Sequence, residues 1–234
     1  MSENVLSAFA HLRQAQAVRW AALAGVAGPL LFLVLYTLAG FLRAGYSPLH
    51  QAISDLGIGP NGLFLNISLM LTGLLLIGFA VGFALSMRSL LGERRQWLIA
   101  VLLALHGLGL AAAGIFTEAP ATLLLHWMVG ATLAFYGPVV AFLVIGLMLL
   151  RTSRWHGWGI YSLIASLLTL GLILFMNWLF TPGTPLASMQ LGGLMERVIM
   201  TEIEVWYIAF GWRLVFLAGS QPREKEEVQP TRNQ

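Results

Sequence analysis

No cysteine occurs in the chain. That excludes disulfides, thiolate metal sites and a cysteine nucleophile, and it leaves the redox compartment open. Charge is scarce too: 10% of the 234 residues are charged, where soluble domains carry about a quarter. A soluble fold with so little polarity has no means of covering its surface. The net charge is +3, and the basic residues stand beside apolar runs, which suits a membrane surface and not a nucleic acid. What the chain has in quantity is hydrophobicity, 58% of its residues, with a mean hydropathy of +0.80.

Six apolar segments are expected to cross a bilayer: 18–42, 62–87, 97–116, 123–150, 157–180 and 191–218. Each is long enough for a hydrocarbon core of roughly 30 Å at about 1.5 Å per residue. The runs are continuous and not alternating, so helices are expected and a barrel is not. The expected fold is therefore all-α, a six-helix transmembrane bundle over residues 18–218. Residues 1–17 read as a cytoplasmic N-terminal segment, and 219–234, polar and Pro-containing, as a disordered cytoplasmic tail. The first apolar run lacks a small-x-small cleavage site and reads as a retained anchor.

Lys and Arg set the orientation. Arg13, Arg19, Arg88, Arg94, Arg95, Arg151, Arg154, Arg213, Arg223, Lys225 and Arg232 fall on one side; Arg43 and Arg197 fall on the other. The positive-inside rule places the larger set, and both termini, in the cytoplasm. A multi-pass protein of the cell (inner) membrane is the expectation. Gly78 and Gly82, with a run of Gly and Ala from Gly107 to Gly114, are small residues that let helix backbones approach. Pro29 and Pro138 are candidate kinks in the first and fourth helices.

Polar residues collect between the first two helices, in Tyr46-Ser47-Pro48-Leu49-His50-Gln51-Ala52-Ile53-Ser54-Asp55-Leu56-Gly57. Ser47 with Pro48 and a closing Gly57 predict a short interfacial helix there. Its apolar side would be Leu49, Ala52, Ile53 and Leu56. At the same level fall Glu118, His126, Glu196 and Arg197, so His50, Ser54, Asp55, Glu118, His126, Glu196 and Arg197 make a candidate pocket at the extracytoplasmic mouth. Deeper in the helices lie His106, Glu202 and Glu204, a candidate intramembrane relay. A carboxylate at mid-membrane costs about 2.5–3.5 kcal/mol if ionised and unpaired. His106, Asn177 and Asn66 are the candidate partners.

At these residues the chain resembles a known family. The Tyr-Ser-Pro-Leu string followed by Ile53-Ser54-Asp55-Leu56-Gly57 is similar to the hallmark of the domain-of-unknown-function 998 family of bacterial and archaeal multi-pass proteins. Gly114-Ile115-Phe116, His126 and Gly193-Leu194-Met195-Glu196-Arg197 follow in order. Family members often carry Asp-Pro after the Gly-x-Phe string; here Ala119 precedes Pro120, and Glu118 stands one position early. The resemblance, over roughly residues 20–215, implies a six-helix membrane domain, and the family has no assigned function.

Three function classes stay open. The first is a pocket that binds a lipid or a membrane-protein partner, its polar groups otherwise holding loops together, with Asp55 pairing to Arg197 or capping a helix. The second is a membrane-embedded hydrolase or transferase acting on a lipid-linked substrate, with acid, base and hydroxyl drawn from the same residues. The third is a proton-coupled small-solute transporter using the deep residues. Gly-x-Ser-x-Gly and His-Glu-x-x-His are both absent, and no pair has diagnostic metal-ligand spacing. No metal, cofactor or nucleic-acid partner is expected. Taken singly, each polar residue is more often structural than catalytic.

Overall fold

The computed structural model describes the backbone of residues 3–219 and the side chains of residues 16–218. Six long helices dominate: α1 (Glu3–Leu42), α2 (Gly62–Ser86), α3 (Glu93–Ile115), α4 (Leu123–Leu149), α5 (His156–Leu179) and α6 (Gly192–Gly219). No strand occurs among the described residues. Helix ends follow the apolar runs closely, apart from α1, which starts at Glu3, well before its apolar run. Beyond Gly219, the expected tail lies outside the described residues.

Five helices, α1 from Gln16 and α2 to α5, are long and apolar enough to cross a membrane. They make the chain a multi-pass membrane protein by length and composition. α6 is not among them, because it carries Glu196, Arg197, Glu202, Glu204 and Arg213. Yet α6 supplies the centre of the core. Ile199, Ile203, Trp206, Tyr207 and Phe210 are buried, and Trp206 stacks on Phe142 and on Phe210 at 4.2 Å between ring centres. The outward faces are apolar in turn: Leu74 is 62% exposed and Leu167 67%. Exposed apolar surface on this scale is stable against lipid and not against water.

Small residues set the spacing where expected. A Cβ on Gly109 would strike the α4 backbone at Leu133 and Ala134, and one on Gly107 the carbonyl of Gly73 in α2. Of the Gly78–Gly82 pair, only Gly82 is a contact point, against Ala21 of α1; Gly78 faces open space.

The α1–α2 connection differs from the expected interfacial helix. It makes a turn at Ser47–Gln51 and then a separate 3-10 turn, Ser54–Gly57. Ser47 does not cap with its side chain; its N–H donates to Gln51 Oε1 at 2.8 Å. Asp55 Oδ2 takes the Ala52 N–H at 2.8 Å, which breaks the run between the two turns. Of the expected apolar side, Ile53 and Leu56 are buried and face the bundle, Ala52 is half-buried, and Leu49 is 51% exposed.

Candidate functional site

Arg197 and Glu196, neighbours on the first turns of α6, hold this connection. The Arg197 guanidinium donates to the carbonyls of Pro48 at 2.9 Å and Gln51 at 3.0 Å, and to the Tyr46 hydroxyl. Glu196 Oε2 accepts the Ile53 N–H at 2.8 Å. Arg43 similarly donates to the carbonyls of Asp55 and of Ile58, the latter at 2.9 Å. Arg197 therefore serves loop carbonyls and makes no pair with Asp55.

Above α6 and against the N-terminal part of α4 lies a cavity of about 350 Å³. Its polar lining is His50, Ser54, Asp55, Glu118, His126, Glu196 and Asn177; its apolar lining includes Trp127, Phe135, Met176 and Phe180. Six of the seven expected pocket residues thus meet in one space, and Arg197 does not line it. A second cavity of about 390 Å³, bounded by the 186–192 connection, shares His50, Phe180 and Gly192 with the first.

Within the polar lining, Ser54 Oγ donates to Glu118 Oε1 at 3.0 Å. His126 Nδ1 lies 2.7 Å from the Phe116 carbonyl. A carbonyl only accepts, so Nδ1 carries the hydrogen. Nε2 then faces Glu118 Oε1 at 3.6 Å, within ion-pair reach and beyond hydrogen-bond length. Burial pushes the Glu118 carboxyl above its ordinary range, against the opposing pull of the Ser54 hydrogen bond and of His126. Burial likewise raises the Tyr46 hydroxyl despite Arg197 beside it. The carboxylate stands between hydroxyl and imidazole, so this is not the Ser-His-acid order of a hydrolase triad. It is an acid–base group with a hydroxyl on one side and a proton acceptor on the other.

His126 is placed by a π-helical stretch, His126–Ala131, inside α4. The wider turn is matched by Thr132 Oγ1 donating back to the Trp127 carbonyl at 2.9 Å. It brings Trp127 and Ala131 to the same cavity as His126. No local sequence signal marks such a stretch, so Trp127 was not legible as a lining residue; Phe135, Met176 and Phe180 reach the cavity through the packing of α4 against α5. Asn177 was singled out, but as a partner for the deep glutamates.

The deep residues divide. His106 and Glu204 are fully buried and meet at 3.2 Å between Nε2 and Oε1. Glu202 turns away and accepts the Thr169 hydroxyl of α5. Asn66 donates to the Gly57 carbonyl at 2.9 Å and reaches neither glutamate. Among the described residues no group of three metal-ligating side chains is present.

A family model described as "Protein of unknown function (DUF998)" matches residues 26–213. The chain belongs to the DUF998 family. The match takes in the second part of α1, the whole of α2 to α5, most of α6, the cavity lining and the buried His106–Glu204 pair. No curated protein and no solved structure matches the chain.

Proposed function

We propose that this protein crosses the membrane six times, both termini cytoplasmic, and binds an amphiphile at its extracytoplasmic mouth. The observation that carries this is one cavity lined by two kinds of side chain: carboxylates, a hydroxyl and imidazoles, together with Trp127, Phe135, Met176 and Phe180. Such a space suits a lipid whose head donates hydrogen bonds, through an amine or hydroxyls, and whose chain packs on the apolar lining residues. Arg43 and Arg197, the cations nearest the mouth, are engaged by backbone carbonyls. An anionic head therefore finds little to hold it.

A crossing by α6 is supported by the way its charges are used. Glu196 and Arg197 hold the loop, Glu202 has Thr169, Glu204 has His106, and Arg213 lies over the Trp155 ring. Charged side chains that each meet a protein group are the kind a membrane helix carries. The asymmetry of arginines supports the orientation.

Native mass spectrometry of the purified protein tests the binding. An amine-headed phospholipid should be retained over phosphatidic acid of the same chains, and Glu118→Gln with Phe135→Ala should abolish the preference. Equal retention of both lipids by the unaltered protein would sink the reading. Orientation has its own test. Single cysteines at Glu118 and Arg94 in this cysteine-free chain should label from outside and from the cytoplasm respectively.

The contact of Ser54, Glu118 and His126 favours a second reading, acid–base chemistry on a lipid-linked substrate. A turnover product that disappears in Glu118→Gln while lipid retention persists would establish it over simple binding.

A further inference from the structure

We propose that the His106–Glu204 pair is a proton-binding site inside the bundle, loaded from the mouth by way of His126. His106 Nδ1 is 2.8 Å from the Ala134 carbonyl and so carries a hydrogen. Nε2 is 3.2 Å from Glu204 Oε1. A contact of that length between a lone pair and a carboxylate is repulsive, so one proton lies between the two atoms. The pair is then neutral, either as imidazolium with carboxylate or as imidazole with carboxylic acid. Without that proton it carries one negative charge.

The surroundings leave the proton as the variable. Tyr207 of α6 stacks on the imidazole at 5.2 Å, and its hydroxyl is spent on the Leu103 carbonyl. α4 contributes the Ala134 carbonyl, and α2 meets the next residue of α3 with Gly73 and Ile77. Glu204 and Tyr207 are the titratable groups set against His106. Glu204 Oε2 is buried and has no hydrogen-bond partner. A purely structural pair gains by satisfying such an atom. Buried ionisable pairs in membrane helices characteristically belong to proton pathways.

Between the mouth and the pair lies a small cavity of about 30 Å³, lined by Ser54, His126 and Glu196 and by apolar residues that include Ala134, Phe135 and Met200; His106 and Glu204 stand behind its wall and do not line it. It has room for a single water. Ala134 is the residue whose carbonyl holds His106, and Met200 is one turn before Glu204 on α6. His126 repeats the chemistry of His106: Nδ1 on a carbonyl, Nε2 toward a glutamate. In a loading step, a proton from mouth water binds His126 Nε2. Its passage inward returns His126 to the neutral form and turns the negative His106–Glu204 pair neutral; one proton moves and no other group changes.

The test is proton uptake by the purified protein in detergent after a downward pH step, followed by stopped flow with a pH-sensitive dye. Glu204→Gln should take up one proton fewer than the unaltered protein, and His126→Asn should slow uptake of that proton at least tenfold. Infrared difference spectra across the same pH step, in H₂O and D₂O, should contain a carboxyl band, as acid or as shifted carboxylate, that Glu204→Gln removes. If Glu204→Gln fails to fold, the neutral double variant His106→Asn with Glu204→Gln gives the same comparison. Equal uptake by the unaltered protein and a folded Glu204 variant, or uptake no slower in His126→Asn, would overturn the proposal.

Discussion

His106 donates to the carbonyl of Ala134, and Pro138 is why that carbonyl is open to it. In a regular helix the Ala134 oxygen would take the N–H four residues on, but position 138 is a proline inside α4 and has none. A helix break expected only as a kink thus supplies the acceptor that orients a buried imidazole. The same bond determines which ring nitrogen faces Glu204.

His106→Leu should be strongly destabilising, because it strands Glu204 without a partner. Breaking one side of a buried pair costs about 3–5 kcal/mol, whereas replacing both by apolar groups is often neutral. His106→Leu with Glu204→Leu should therefore recover most of the loss. Unfolding of the purified protein by SDS measures all three variants. A double variant no more stable than the single one would contradict this account.

Glu118 gives a pH dependence with a defined sign. Burial raises its carboxyl in the folded protein, so the folded state holds that proton more tightly than the unfolded state. The resulting stabilisation is complete below the ordinary carboxyl range and is lost as pH rises through the raised value. Glu118→Gln removes this contribution. Thermal unfolding in detergent from about pH 4 to about pH 8 should show a difference curve that declines with pH. A flat difference would mean that the carboxyl is not perturbed.

Arg197 ties α6 to the α1–α2 connection through the Pro48 and Gln51 carbonyls and the Tyr46 hydroxyl. Arg197→Ala should cost about 1–3 kcal/mol, since hydrogen bonds from a charged donor are lost at a partly buried site. Hydrogen exchange should rise across 46–58 and leave α3 and α4 unchanged. Arg197→Lys should not restore protection, because a single ammonium lacks the fork that reaches several oxygens.

Two glycine substitutions should behave oppositely. At Gly109 a Cβ meets the Leu133 and Ala134 backbone, so Gly109→Ala should push α3 from α4 and cost about 1–3 kcal/mol. At Gly78 nothing lies within reach of a Cβ, so Gly78→Ala should be neutral or stabilising by up to about 1 kcal/mol. SDS unfolding of the two variants checks both signs.

Hydrophobic run length by itself determined where the helices lie, because a spanning segment must satisfy its own backbone and bury its side chains in lipid. The same logic singled out the polar residues, since each is costly at its depth: six of the seven mouth residues line one cavity, and His106 meets Glu204. What only tertiary structure decided was direction. Arg197 turned to loop carbonyls, Glu202 to Thr169, and the connection at 47–57 divided into two turns once Asp55 found the Ala52 N–H. The apolar lining of the cavity also emerged only in three dimensions, from the π-helical stretch at His126 and the approach of α5. Cost of burial is a property of a residue and its depth, so it can be read along the chain. Which partner relieves that cost depends on distances of a few ångströms between helices far apart in sequence, and packing alone sets those.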